Sequence, residues 1–229
     1  MKITEKIRMK TEDLYTQGPI TIVAFGDSVT HGCLQAGVKN YESVYWNRLR
    51  KKLLQIRDEI PINVINAGID GSSATTSLAR MQGQVLQHHP DLLIVCFGLN
   101  DIHDPLDEYL HSLDEIFQKA NAAGCETIFM SPNMMNTYVA DDVDPVYREV
   151  AGITAEYQNS GRMDRYIEGA LNQADRDHIY ICDCYTEWKA MSQTQDTTML
   201  LANRINHPLP ELHEIFADKL FATIMKNQL

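Results

Sequence analysis

A serine hydroxyl becomes a nucleophile when a base stands beside it and hydrogen-bond donors face the oxyanion that its attack creates. In this 229-residue chain, Ser28 has the address such a group needs. It ends the run Thr21-Ile22-Val23-Ala24-Phe25-Gly26-Asp27-Ser28, in which apolar and β-branched residues read as a buried strand that stops at a glycine. Gly26 permits a tight turn, and Asp27 and Ser28 are turn-forming and helix-capping residue types. On this stretch alone, a plain helix cap is the more frequent reason for a serine at such a place. The case for chemistry therefore depends on what the rest of the chain can bring to Ser28.

Strands and helices alternate along the chain. Short apolar strands are predicted at 20–25, 62–66, 91–97, 127–130 and 178–183, with helices over 41–56, from the Gly71 loop to about Leu86, over 106–122, over 145–174 with a break near Gly161, and from Pro208 onward. Residues 1–18 are polar with sparse apolar positions and read as a peripheral segment. The stretch 134–144 reads as a long loop, and 194–206 as irregular. There is no repeat, low-complexity tract or linker, so the expectation is one α/β domain, 1–229, built as three layers around a five-stranded parallel sheet.

Such sheets bind ligands outside the carboxyl ends of their strands. Those ends are Gly26-Asp27-Ser28, Asn66-Ala67-Gly68, Gly98-Leu99-Asn100-Asp101 and Ser131-Pro132-Asn133. Backbone N–H groups of Ser28 and Gly68 and the Asn100 amide are candidate oxyanion donors, although a turn glycine and an Asx cap explain Gly68 and Asn100 singly. Of eight histidines, His31 and His103 follow strand ends, and His207 lies in a loop before the last helix, where a side chain can reach across the sheet edge.

The four strand-end and loop blocks, in order, resemble the GDSL/SGNH hydrolases. Gly26-Asp27-Ser28-Val29-Thr30-His31-Gly32 is similar to the nucleophile block, Asn66-Ala67-Gly68 to the glycine block, Gly98-Leu99-Asn100-Asp101 to the G-x-N-D block, and the segment from His207 to Ala217 to the C-terminal histidine block. The resemblance implies a flavodoxin-like α/β/α sandwich and ester hydrolysis through an acyl-enzyme. By it Ser28 is the nucleophile, His207 the base, and Ser28, Gly68 and Asn100 the oxyanion hole, while His213 matches a structural position. Asp27, Asp101, Asp104, Asn206, Met134 and Tyr138 are further candidates for support of the site or for its pocket, whose wall is expected in 133–147. No cofactor and no metal is expected; Cys182-Asp183-Cys184 with His178 nearby lacks the usual ligand spacing.

One departure stands out. The family usually carries Asp three residues before the catalytic histidine, and here that position is Arg204, which cannot accept a hydrogen bond from the ring. Three outcomes follow from that: a backbone carbonyl near 203–205 holds His207 in a Ser-His dyad, an acid from another loop (Asp104 or Glu211) substitutes, or the chain is a weakened or inactive binding protein. The dyad is preferred, because a carbonyl can select the required tautomer without a charge.

Composition bounds the partners. A net charge of −11 argues against a nucleic-acid or anionic-membrane surface, and no apolar run reaches membrane-spanning length. There is neither a G-x-G-x-x-G nor a G-x-x-x-x-G-K, which disfavours a nucleotide- or flavin-binding domain. The charged N-terminus lacks a signal-peptide core, and the five cysteines are scattered, so a reduced cytoplasmic setting is the default. A small-molecule ester, of a short acyl or acetyl group and with a carbohydrate as one option for the alcohol, is the expected substrate. The oligomeric state is open.

Overall fold

β1 (Ile20–Gly26) lies between β4 (Ile62–Gly68) and β5 (Leu92–Cys96), and the sheet continues through β6 (Thr127–Met130) to β7 (Tyr180–Cys182), every pair parallel. The computed structural model describes residues 2–226. Leaving aside a small hairpin, β2 (Cys33–Gln35) and β3 (Val38–Lys39), the strand order is 2-1-3-4-5, the flavodoxin-like order. The chain reverses its direction of sheet growth between β1 and β5, the switch point outside whose carboxyl ends such sheets bind ligands.

The five predicted strands match the five of the sheet. All of β5 is buried, as its unbroken apolar sequence requires in a sheet covered on both faces. The long helices are α4 (Tyr45–Ile56), α5 (Ala74–Gln84), α6 (Leu106–Ala122), α7 (Arg148–Asn159), α8 (Arg162–Arg176) and α10 (His213–Lys226). α4 packs against α10, while α6 packs between α5 and α8. Phe25 and Phe97, buried on neighbouring strands, meet edge to face with ring centroids 5.2 Å apart. The N-terminal helix, Lys2–Arg8, puts Ile3 and Ile7 into the main core, and Lys6 bonds Asp91 at 2.8 Å.

Helix breaks follow their local causes. Gly161 takes the left-handed conformation (φ 72°) between α7 and α8, as its place in the predicted 145–174 helix suggests. The β2–β3 hairpin has no counterpart among the predicted elements, because Cys33–Lys39 is too short to show a period.

The 134–144 connection is a loop, but it is not an ordinary surface one. Met134, Met135 and Asn136 are buried. Their backbone groups are satisfied by distant partners: Met135 N donates to Gln158 Oε1 at 2.9 Å and Asn136 N to the Ile205 carbonyl at 2.8 Å. Only with such partners can an irregular segment be buried at tolerable cost.

Candidate active site

A four-residue helix, α3 (Ser28–His31), begins directly beyond β1 and carries Ser28 at its first position. Asp27 caps it, Oδ1 accepting from Val29 N at 2.9 Å. Two glycines let this helix sit so close to the sheet. A Cβ on Gly26 would fall 2.2 Å from Thr30 Oγ1 and 2.6 Å from the Cys96 carbonyl, and one on Gly68 would fall 2.3 Å from His31 N. The nucleophile-block and glycine-block residues are thus in mutual contact, which their sequence separation hides.

His207 arrives from the other end of the chain. Its Nε2 lies 2.9 Å from Ser28 Oγ, across 179 residues of sequence, and its Nδ1 lies 3.2 Å from the Leu34 carbonyl in β2. A carbonyl accepts only, so Nδ1 carries the ring proton and Nε2 is left as an acceptor for the serine hydroxyl. Burial lowers the pKa of His207, against the opposing pull of the Leu34 carbonyl and the Asp70 charge, so the ring favours its neutral form.

The orienting group is therefore a carbonyl, but not the one expected near 203–205, and neither substitute acid fills the role. The two ring nitrogens of His207 face the Leu34 carbonyl and Ser28 Oγ, with neither Asp104 nor Glu211 as a partner. Arg204 points away from the imidazole. Its guanidinium pairs with Asp142 (3.0 Å) and bonds the Met199 and Leu201 carbonyls at 3.0 and 2.8 Å.

The turn that presents His207 is organised by Asn203. Its Oδ1 accepts from the backbone N–H groups of Ile205, Asn206 and His207, each at 3.0 Å, and its Nδ2 donates to Asn206 Oδ1. Inside this nest Arg204 adopts the left-handed conformation (φ 60°), costly for a long side chain without such support. The Asn206 carbonyl is held by Asn133 Nδ2 at 2.8 Å, tying the turn to the end of β6. Sequence reasoning missed Asn203 and Leu34. An Asn within a few residues of a candidate histidine was a readable hint for the first, while a backbone carbonyl leaves no residue-type signal at all.

The expected oxyanion donors have different standing. Ser28 N–H occupies the first position of a helix, where no intrahelical acceptor exists for it. Asn100 uses one amide hydrogen on the Ser72 carbonyl (2.9 Å) and keeps the other. Gly68 N–H donates to Asn66 Oδ1 at 3.0 Å, so this donor is engaged within its own block.

Asp27 and Asp101 are support beneath the site. Both are fully buried. Asp101 ties strand ends together, Oδ1 accepting from Ala74 N (2.7 Å) and Oδ2 from Gly98 N (2.8 Å). Burial pushes the Asp101 carboxyl up to about 6 and that of Asp27 up to about 7; Asp27 Oδ2 has no hydrogen-bond partner among the described residues. His213 is packed, as expected: it stacks on Tyr45, and burial drives its pKa down to about 3.

A cavity of about 670 Å³ opens beside His207. Asp142, Asp144 and Tyr147 supply one wall, Asn203, Arg204 and Asn206 another, and Gln35 and Ala36 of the hairpin a third. Three of the lining residues, Asp142, Asp144 and Tyr147, fall in the 133–147 stretch expected to form a pocket wall, but Met134 is in the core and Tyr138 donates to Asp196 instead, so neither lines the cavity. The lining mixes polar side chains with the apolar Ala36, Val150, Ala202 and Ile205.

The fold is that of an α/β class of ester hydrolases, and Ser28 and His207 meet at its switch point. The chain is a member of the GDSL-like Lipase/Acylhydrolase family, whose sequence profile matches residues 24–215, and it is an ester hydrolase. Among solved structures it is similar to an acetylxylan esterase from Geobacillus stearothermophilus, at 21% identity over 90% of this chain and 94% of that one with a TM-score of 0.69. It is also similar to LAE5, an α/β hydrolase from the metagenome of Lake Arreo, Spain, at 21% identity over 89% and 94% of the two chains and a TM-score of 0.68. Catalytic mutants of the acetylxylan esterase have been solved with substitutions at a serine, an aspartate and a histidine. A comparison with curated protein sequences finds no match. No helix among the described residues is long and apolar enough to cross a membrane.

Proposed function

We propose that this protein hydrolyses short-chain acyl esters, acetyl esters foremost, of small hydroxyl-rich alcohols through an acyl-enzyme on Ser28. The observation that carries the reading is the 2.9 Å contact of Ser28 Oγ with His207 Nε2, with Nδ1 turned to the Leu34 carbonyl. Ser28 Oγ attacks the ester carbonyl as its proton passes to Nε2. The charge gathers on the carbonyl oxygen facing Ser28 N–H and the second Asn100 amide hydrogen, and Gly68 N–H joins them when Asn66 releases it. The imidazolium then protonates the departing alkoxide, water adds to the acyl-enzyme with His207 again as base, and the acid leaves.

In the cavity beside His207, Asp144 and Asn206 offer acceptors to an alcohol with several hydroxyls, within a lining that mixes polar and apolar side chains. The similar protein's name, acetylxylan esterase, supports a carbohydrate ester as the substrate class. Arg204 invites the alternative of an inactive binding scaffold, but the Leu34 carbonyl supplies the tautomer control that the missing aspartate would have given. The five cysteines are free and buried, consistent with a cytoplasmic, reducing setting.

Hydrolysis of an aryl acetate and of acetylated xylo-oligosaccharides by wild type, Ser28→Ala and His207→Ala tests the reading. Wild type should turn over, and each variant should lose on the order of 10³–10⁶-fold. An absence of turnover together with no fluorophosphonate labelling of Ser28 would overturn it.

A further inference from the structure

His31, Cys33 and Asp70 form a side-chain cluster to which the proposed ester hydrolysis assigns no bonding step. Nδ1 of His31 lies 2.6 Å from Asp70 Oδ1, and Sγ of Cys33 lies 2.9 Å from the same oxygen. One nitrogen, one sulfur and one carboxylate oxygen thus fall within 4.8 Å of one another, and among the described residues this is the one such group of three or more donors. The other four cysteines, all buried, belong to no such group. Cys33 is buried, but His31 and Asp70 are 29% and 49% exposed at their side chains, which leaves an entry path.

We propose that His31, Cys33 and Asp70 form a binding site for a thiophilic divalent cation of the zinc or cadmium type, and that its occupation slows the hydrolase through the adjoining Leu34 carbonyl. The donor set is a mixed N/S/O set of the sort zinc accepts, with a fourth position open to water. On binding, the Cys33 thiol proton is released to solvent. The Nδ1 proton of neutral His31 moves to Nε2, where the Tyr41 hydroxyl lies 3.4 Å away as an acceptor. Lys39, whose Nζ is 3.0 Å from Asp70 Oδ2, is the cation that the metal must displace or tolerate.

The coupling follows from chain connectivity. His31 is the last residue of the helix that Ser28 begins, and Cys33 directly precedes Leu34. Donors around a tetrahedral zinc at about 2.0–2.3 Å stand roughly 3.4 Å apart, wider than the present 2.6 and 2.9 Å. Spreading them moves Cys33, and with it the Leu34 carbonyl, which at 3.2 Å from His207 Nδ1 has little length to spare. The cation also cancels the Asp70 charge that favours the His207 imidazolium.

The full chain titrated with cadmium alone, followed by the ultraviolet cadmium–thiolate charge-transfer absorption, reads binding independently of esterase activity. One equivalent should bind, zinc should compete for it, Cys33→Ser should abolish the absorption, and Asp70→Asn should weaken binding by about 10–100-fold. Lys39→Ala should tighten binding several-fold, a change in the opposite direction that misfolding cannot mimic. The coupling rests on the esterase reading and is measured twice: aryl acetate turnover should fall about 10–100-fold on binding and return with a chelator, and the His207 imidazole NMR signal should shift with the first equivalent. No stoichiometric binding, or binding that persists in Cys33→Ser, overturns the site. Binding that moves neither turnover nor the His207 signal overturns the coupling; a chain without turnover that still binds cadmium and shifts His207 overturns the proposed function and leaves the site standing.

Discussion

Asn203→Ala removes the acceptor around which the His207 turn is wound. Three backbone N–H groups, of Ile205, Asn206 and His207, lose a partner at 3.0 Å, while the Asn206 carbonyl keeps Asn133. A typical intramolecular hydrogen bond contributes about 1 kcal/mol net, and a buried donor left without a partner costs about 1–3 kcal/mol. Ile205 is buried, whereas Asn206 and His207 are half-buried and open to water, so about 2 kcal/mol in all is a fair sum. The left-handed backbone at Arg204 then loses its support, and the turn relaxes. If that relaxation is felt mainly at the imidazole, kcat should fall by about 10–30-fold at 1.36 kcal/mol per decade, with KM for a small aryl acetate little changed. Asn203→Asp keeps an oxygen acceptor in the same place and should recover most of the rate, whereas a role in folding alone would not separate kcat from KM. Steady-state kinetics on the three proteins decide the matter. Wild-type kcat in a folded Asn203→Ala would refute the view that this side chain positions His207.

Three further outcomes follow. Arg204→Asp, which restores the family's usual residue type, should not raise the rate, because His207 Nδ1 is already engaged by Leu34 and position 204 faces Asp142. It should lower Tm by about 4–8 °C, since two guanidinium–carbonyl hydrogen bonds of about 1 kcal/mol each are lost; a tenfold gain in kcat/KM would show that the carbonyl orients the base poorly. With His207 as the proposed base, its neutral form is the active one and its pKa is lowered by burial, so the acidic limb of kcat/KM against pH should fall below the unperturbed histidine value of about 6.5. A pH–rate profile with its half-point above that value would contradict the burial argument. Gly68→Ala should abolish turnover and fluorophosphonate labelling together, since its Cβ would meet backbone of the Ser28 helix at 2.3 Å.

Sequence and tertiary structure contributed different things to this site. The sheet was legible because each strand carries its own signal: short apolar runs bounded by Gly, Pro or Asn need no distant information. Ser28 was singled out as a serine at a strand-to-helix turn, and His207 as a loop histidine before the last helix, placed to reach across the sheet edge, with the family resemblance joining the two. Gly68 and Asn100 were singled out in their strand-end blocks as candidate donors, but that Gly68 N–H is taken by Asn66 was not legible there. The 133–147 stretch borders a cavity through Asp142, Asp144 and Tyr147 and not through Met134 or Tyr138, because which residues turn inward depends on bonds to Gln158, Thr198 and Ile205 far along the chain.

What the residues alone supplied is the candidate serine and histidine and the likeness to an ester-hydrolase family. What replaced the missing aspartate was decided by folding. Leu34 lies 173 residues from His207, in a hairpin too short to have a period, and it acts through a carbonyl that every residue possesses. A backbone acceptor becomes specific only by where the chain carries it, and that is a property of the packed α3–β2 segment, held close to the sheet by Gly26 and Gly68, and of the turn wound around Asn203.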